Sequence, residues 1–366
     1  MSYCVIHDRR FNPWVWLFDK LTHGLLRTRR FATELLAAFR FVRKNRDCEF
    51  FFVENDYPLG LMAAIVSLFL PCAWVVGVND TQNLKVSISY PGRQQRRRMH
   101  HIKQWVYRRA DAVRANSFVT RDVLAESGCP EDKIIVVPLH ATRWMLPTPD
   151  EAAAMERFRR QSRAQIYDRH ALAHDSELLL IMCRLSAEKG LDLAIRALPH
   201  ALERCPRLTL MICGPDRGQR AMLERLAEEL GVRRQVLFTG NIAHEELKHF
   251  FAAASLHLAP SVIDTFNFSI IQAGMTQTFT LATERVGAAY WMEQMGSGRI
   301  VAGREPEAWG RAVAEHVASA ERRTISASVS EALVARFRPD AVAAELLAAI
   351  ERKIGFAPKS RGSLAA

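Results

Sequence analysis

The sequence predicts a two-domain α/β protein, each domain a doubly wound parallel sheet. Three observations predict it. Short apolar strands alternate with helical stretches through the first 140 residues, the alternation stops over a charged segment at 146–176, and it restarts at residue 177. Strand and helix signals in alternation imply parallel strands joined by crossover helices on both faces. At 366 residues, 49% hydrophobic and 24% charged, the chain has the length and composition for two globular domains.

The first series begins with the strand YCVI and a helical region reaching about residue 45. Strand EFFFV, helix PLGLMAAIVSLFL and strand AWVVGV follow. The apolar run 61–78 approaches the length of a membrane span. Pro71 divides it into a helix-like half and a β-branched half, so it reads as a helix followed by a buried parallel strand. Helix RQQRRRMHHIKQWVYRR, strand AVRAN, helix VTRDVLAES and strand KIIVVP complete this domain, placed at 1–145. The stretch from Thr148 to Ser176 is charged and helical in period, and 146–176 is read as a helical linker.

The second domain, 177–337, starts with strand ELLLIMCRL and helix LDLAIRALPHALERC. Strand RLTLMICG, helix QRAMLERLAEELG, strand QVLFTG, helix HEELKHFFAAA and strand SLHLAPS follow. An amphipathic helix at 338–355 and a frayed tail at 356–366 end the chain. Ligands of such sheets bind at the carboxyl ends of the strands, so a cleft between the two domains is expected there.

The formal charge is +11, and residues 1–110 carry 18 Lys/Arg against 8 Asp/Glu. Seven cysteines with no C-x-x-C pair signal neither a disulfide framework nor a zinc site, so a reducing compartment is expected. The opening MSYCVIHDRRFNPW lacks the pattern of a secretory signal.

Chemistry concentrates in the second half. In CRLSAEKG, Arg184 ends a strand and Lys189 precedes Gly190 and a helix, where free N–H groups add to two cations as a phosphate site. A solvated loop pair explains the same residues equally well. In ICGPD, Gly214 suits either close ligand approach or a plain turn, and VLFTGNIAHEEL ends a strand at Gly240. The stretch APSVIDTFNFSIIQAG sets Asp264 at a turn and Gln272 two turns into an otherwise apolar helix.

This series, with GRIV at 298–301, resembles the retaining glycosyltransferases of family 4, which have the GT-B fold of two facing Rossmann-like domains. The resemblance is specific over 177–301 and vaguer over 72–140. It implies that Asp264 contacts hydroxyls of the donor sugar and that Gln272 grips the nucleotide ribose. Arg184 and Lys189 would neutralise the leaving pyrophosphate, backbone N–H groups from Thr265 through Phe266 and Asn267 to Phe268 would point at the diphosphate, and Val236 to Gly240 would flank the base. The family has glutamates where Asp264 and Gln272 stand, and glycine where Asn267 stands. Its glycine-pair segment is RVGAAYWM here, retaining Gly287, and its glycine-rich first loop is replaced by HDRRFNPW.

The resemblance implies hexosyl transfer with retention from a nucleoside-diphosphate sugar to a glycan or lipid-linked glycan, in bacterial cell-surface polysaccharide, lipopolysaccharide or exopolysaccharide synthesis. With Arg184, Lys189 and the helix start at 265 to bind the developing negative charge no metal or cofactor is expected, and consistent with that no Asp-x-Asp triplet occurs. Acceptor-side candidates are Asn79 and Asp80, which match a His-Asp position of the family, together with His140 and His7; Asp80 is also counted among the catalytic candidates. An Asx turn at the strand end explains Asn79 and Asp80 as well. From Thr81 to Ala110 there is no acid, while Arg93, Arg96, Arg97, Arg98, Lys103, Arg108 and Arg109 line one helix. Such a face suits anionic headgroups at the inner, cytoplasmic leaflet, and a peripheral location is expected; an ordinary core-facing helix with a solvated outer face accounts for the apolar stripe as well, though not for the absence of every acid. A catalytically inactive GT-B scaffold and a basic nucleic-acid-binding protein are the competing readings; the second lacks a recognised motif, and no nucleic acid is expected.

Overall fold

The computed structural model describes residues 31–79, 93–142, 145–319 and 325–355. The chain divides into two compact units, one of residues 1–116, 120–137 and 345–366, the other of 117–119 and 138–344.

In the first unit, helix α1 (Phe31–Lys44) leads to strand β1 (Phe51–Glu54), helix α2 (Leu59–Val66), strand β2 (Trp74–Val78) and helix α3 (Arg93–Arg109). Strand β3 (Ala112–Ala115), helix α4 (Phe118–Glu126) and strand β4 (Ile134–Val136) follow. The four strands are parallel in the order β1-β2-β3-β4. Every residue of β2 and β3 is buried, as expected of strands covered on both faces. Helix α2 ends at Val66, short of the predicted residue 70, and Leu68 and Phe69 stand exposed beyond it. The apolar run at 61–78 thus divides between α2 and β2, and no helix among the described residues is long and apolar enough to cross a membrane.

One member of the basic face needs correction. Lys103 is buried, its ammonium 3.0 Å from the buried Asp56 carboxylate, which also accepts from the Tyr107 hydroxyl. Val106 and Tyr107 share that inward side of α3, so Lys103 lies on the core stripe and faces no headgroup. Arg108 and Arg109 are exposed; the side chains of Arg93, Arg96, Arg97 and Arg98 lie outside the described residues.

The second unit opens with helix α5 (Pro149–Ala153), capped reciprocally by Thr148 and Glu151, and helix α6 (Met155–Arg169). Then come β5 (Glu177–Met182), α7 (Leu191–Leu202), β6 (Leu208–Cys213), α8 (Arg220–Glu229), β7 (Val236–Gly240), α9 (Leu247–Ala253) and β8 (Leu256–Ala259). Helix α10 (Phe268–Met275), β9 (Thr280–Ala282), α11 (Ala289–Gln294), β10 (Gly298–Ile300), α12 (Pro306–Ala318), α13 (Ala327–Phe337) and α14 (Pro339–Ile354) complete the chain. The six strands are parallel in the order β10-β9-β8-β5-β6-β7. One sheet face buries Leu179, Ile181 and Leu210 with Leu193, Ile195 and Trp309; the other buries Leu178, Leu180 and Met211 with Ile166, Phe250 and Phe251. Alternate residues of one strand therefore serve opposite cores. From residue 345 onward α14 belongs to the first unit, where Leu346, Ile350 and Ile354 recur every four residues and pack with Val75 and Ala112 of its sheet.

Candidate functional site

The strand order of the second unit reverses between β5 and β8. From β5 the chain winds outward to β7, and from β8 it winds the other way to β10. A crevice opens at the carboxyl edge of such a switch, because the loops leaving the two central strands turn to opposite faces. The loop after β5 carries Arg184 and Lys189; the loop after β8 carries Asp264.

Main-chain contacts bind these loops together. A Cβ on Gly214 would lie 1.9 Å from the Cys183 carbonyl oxygen, one on Gly190 would lie 2.1 Å from that of Pro260, and one on Gly287 would lie 2.0 Å from that of Thr265. Gly190 and Gly214 also have φ of 62° and 141°, open to glycine and strained for other residues. Gly214 therefore serves the packing of β6 against β5, and its N–H donates to the Gly240 carbonyl at 2.7 Å. The Val262 N–H reaches the Glu188 carbonyl at 2.8 Å, the Asp264 N–H donates to Arg285 at 3.0 Å, and the Gly287 N–H returns to the Asp264 carbonyl at 2.9 Å.

On this frame the Lys189 ammonium meets the Asp264 carboxylate at 2.5 Å, with side chains 14% and 11% exposed. The other carboxylate oxygen accepts from the Phe266 N–H at 3.4 Å. Arg184 points differently. It is half exposed, and its nearest carboxylate is Glu188 at 3.9 Å, which also accepts from the Ser186 hydroxyl at 2.6 Å. Sequence reasoning missed Glu188, as it missed Arg304, whose guanidinium donates to the Pro260 carbonyl at 2.6 Å beside Gly190. Arg304 belongs to no motif, and Glu188 sits inside CRLSAEKG with nothing in the spacing to single it out beside Arg184 and Lys189.

Asn267 takes φ of 70°, the left-handed conformation that Asn tolerates better than other side chains, and its Oδ1 caps α10 by accepting from the Ser269 N–H at 3.2 Å. The Asn267 and Phe268 N–H groups have no acceptor among the described residues. Phe266 is buried with Phe268, Trp291 and Phe337 around it, so only its main chain is available to a ligand. The Gln272 side chain is buried on α10 and makes no hydrogen bond among the described residues. Asp216, just before α8, accepts from the N–H groups of Gln219, Gly218 and Arg220, which hold its carboxyl below the usual range.

At the carboxyl edge of the first sheet, Asn79 receives Arg114 at 2.9 Å and donates to Glu54 at 2.5 Å. Arg114 lies inside β3, buried, and also donates to the Val137 carbonyl at 2.7 Å. Burial pulls its guanidinium down to about 10, against the opposing pull of Glu54 and Glu345. His140 is exposed, its ring against the Ala141 carbonyl at 3.2 Å, and falls with the second unit. His7 and Asp80 lie outside the described residues.

A cavity of about 270 Å³ lies away from these groups, at the amino ends of the strands, lined by Glu156, Arg159, Arg163, Glu177 and Ser255. Arg159 there is engaged by the Thr276 carbonyl and Thr278 hydroxyl, each at 2.6 Å, and ties α6 to the sheet.

Two family models match: Glycosyl transferase 4-like domain over residues 9–140 and Glycosyl transferases group 1 over 162–328. Among curated relatives, D-inositol 3-phosphate glycosyltransferase of Corynebacterium urealyticum is 30% identical over 170 residues, 45% of this chain and 40% of that protein. An uncharacterized glycosyltransferase of Methanocaldococcus jannaschii is 27% identical over 56% of this chain and 50% of its own. The chain spans about half the length, or less, of these relatives. Among solved structures, sucrose-phosphate synthase of Thermosynechococcus elongatus superposes with TM-score 0.70 at 18% identity, covering 90% of this chain and 80% of that one. Anabaena Alr3699/HepE in complex with UDP gives 0.69 at 16%, covering 87% and 82%. These likenesses show the fold.

Proposed function

We propose that this chain, which belongs to the glycosyltransferases of family 4 and GT-B type, moves a hexosyl group from a nucleoside-diphosphate sugar to a glycan or lipid-linked glycan with retention of configuration. The observation that carries the reading is the meeting of Lys189 and Asp264 across the switch point of the second sheet. A cation and a carboxylate side by side suit the two ends of such a donor. Lys189 and Arg184 take the diphosphate, Asp264 takes sugar hydroxyls, the N–H groups of Asn267 and Phe268 add donors at the start of α10, and Gln272 serves the ribose.

As the glycosidic bond to the leaving group breaks, negative charge grows on the diphosphate and positive charge on the sugar ring. Groups fixed in advance around the first bind the transition state more tightly than the substrate. The two cations supply this charge, so the reading requires no metal. Acceptor-side candidates are Asn79, Asp80, His7 and His140. Arg108 and Arg109 support docking on an anionic inner leaflet, in keeping with a lipid-linked acceptor from a cell-surface polysaccharide pathway.

Thermal-shift screening against UDP, GDP, ADP and their sugar conjugates tests the donor reading. UDP leads the panel because Anabaena HepE was solved with it. One base should raise the melting temperature and the others should not. A melt indifferent to all of them removes the nucleotide-sugar assignment.

A further inference from the structure

The Lys189–Asp264 pair sets up a competition that the donor reading alone does not contain. Both backbones are fixed. The Lys189 N–H bonds to Ser186 at 3.0 Å, Glu188 receives the Val262 N–H, and Asp264 is clamped on both sides of its peptide by Arg285 and Gly287. Only the two side chains are left to rearrange, and each neutralises the other at 2.5 Å in a largely buried setting. Arg184 stands apart with its own weak partner, Glu188, and is half exposed. The two cations of the loop are therefore unequal: Arg184 is free to meet a phosphate, whereas Lys189 must first give up a carboxylate.

From this we propose that Lys189 and Asp264 form an exchangeable pair that favours the intact donor and expels the nucleoside diphosphate after transfer. The inference rests on the donor-site reading. An intact sugar nucleotide compensates both members of the broken pair, offering phosphate oxygens to Lys189 and hydroxyl donors to Asp264. A nucleoside diphosphate compensates Lys189 alone and leaves a carboxylate, 11% exposed, with only the long bond from the Phe266 N–H. A buried charge deprived of its partner is costly, so re-formation of the ion pair opposes the product and leaves the substrate unopposed. Asp264 is thereby a specificity-determining residue for donor over product.

Isothermal titration of the wild type, Asp264→Asn and Asp264→Ser with UDP, GDP, ADP, UDP-glucose, GDP-mannose and ADP-glucose tests it. The wild type should bind its best sugar nucleotide at least about tenfold more tightly than the matching diphosphate. In Asp264→Asn the diphosphate should bind about tenfold more tightly than in the wild type, and the sugar nucleotide no more tightly, so that the preference collapses. Asp264→Ser, which also removes the charge, is read in its place if the first variant does not fold. A wild type that binds diphosphate and sugar nucleotide equally overturns the proposal without any variant, as does a neutral variant whose diphosphate affinity is unchanged or weaker. A wild type that binds none of the six ligands fails at the earlier step and removes the donor site itself.

Discussion

The carboxyl edges of the two sheets are built by opposite means. In the second unit the strands are apolar, and the edge is assembled by main chain meeting main chain at Gly190, Gly214 and Gly287, with Lys189 and Asp264 displayed on top. In the first unit the charge is inside the sheet, where Arg114 of β3 reaches past its own strand to Val137, Asn79 and, through Asn79, Glu54. The difference teaches that one edge holds its shape independently of its polar groups, whereas the other depends on them. Charged side chains hold the edge of the first sheet together, whereas main-chain contacts hold that of the second.

The most damaging change on the main-chain edge should touch no charge. Gly214→Ala would set a methyl group 1.9 Å from the Cys183 carbonyl oxygen at a φ of 141°. A loss of about 3 kcal/mol or more in urea unfolding is expected. A loss under about 1 kcal/mol would mean that the loops yield easily and that the edge is not held by its main chain.

Next in size is Arg114→Leu, which restores an apolar strand but leaves Asn79 Oδ1 and the Val137 carbonyl without their donor. A loss of about 2 kcal/mol is expected. A gain in stability would erase the contrast, showing the first edge to be held by apolar fit.

Acid should weaken the second unit through one buried imidazole. His257 lies fully buried in β8, its Nδ1 3.1 Å from the Thr280 hydroxyl, and desolvation pushes its pKa down to about 3. The unfolded chain takes up this proton near pH 6.5 and the folded chain resists to about 3. The contribution is therefore complete above pH 6.5 and drains as pH falls toward 3, by at most about 1.4 kcal/mol per pH unit. Melting curves from pH 7 to 4.5 should fall less steeply in His257→Leu than in the wild type; identical slopes would show that the imidazole is protonated in place.

The same contrast explains what was legible in the sequence. The alternating elements, the strand ends and the loops bearing Arg184, Lys189, Gly214 and Asp264 stand out because strand-end glycines and charged turn residues recur at fixed positions in one continuous stretch. The network of Glu54, Asn79 and Arg114 is scattered over three strands, and nothing in AVRAN distinguishes a buried arginine from a solvated one. Lys103 is illegible for the same reason: its partner Asp56 is 47 positions away, and nothing in the run of cations on α3 separates an inward lysine from the arginines beside it. Strand β9 is three residues long and α11 six, too short for a period to emerge. Asn267 was legible as a departure from glycine, but its left-handed φ and its capping of Ser269 emerge only from the fold.

The central claim is that a donor diphosphate is received where the loops after β5 and β8 meet. A crystal structure with the nucleoside diphosphate selected by thermal shift tests it most directly. The expected result is a pyrophosphate within hydrogen-bond distance of Arg184, Lys189 and the N–H groups of Asn267 and Phe268, with Asp264 turned away from Lys189. A nucleotide seated elsewhere, with the Lys189–Asp264 pair still closed, would contradict it.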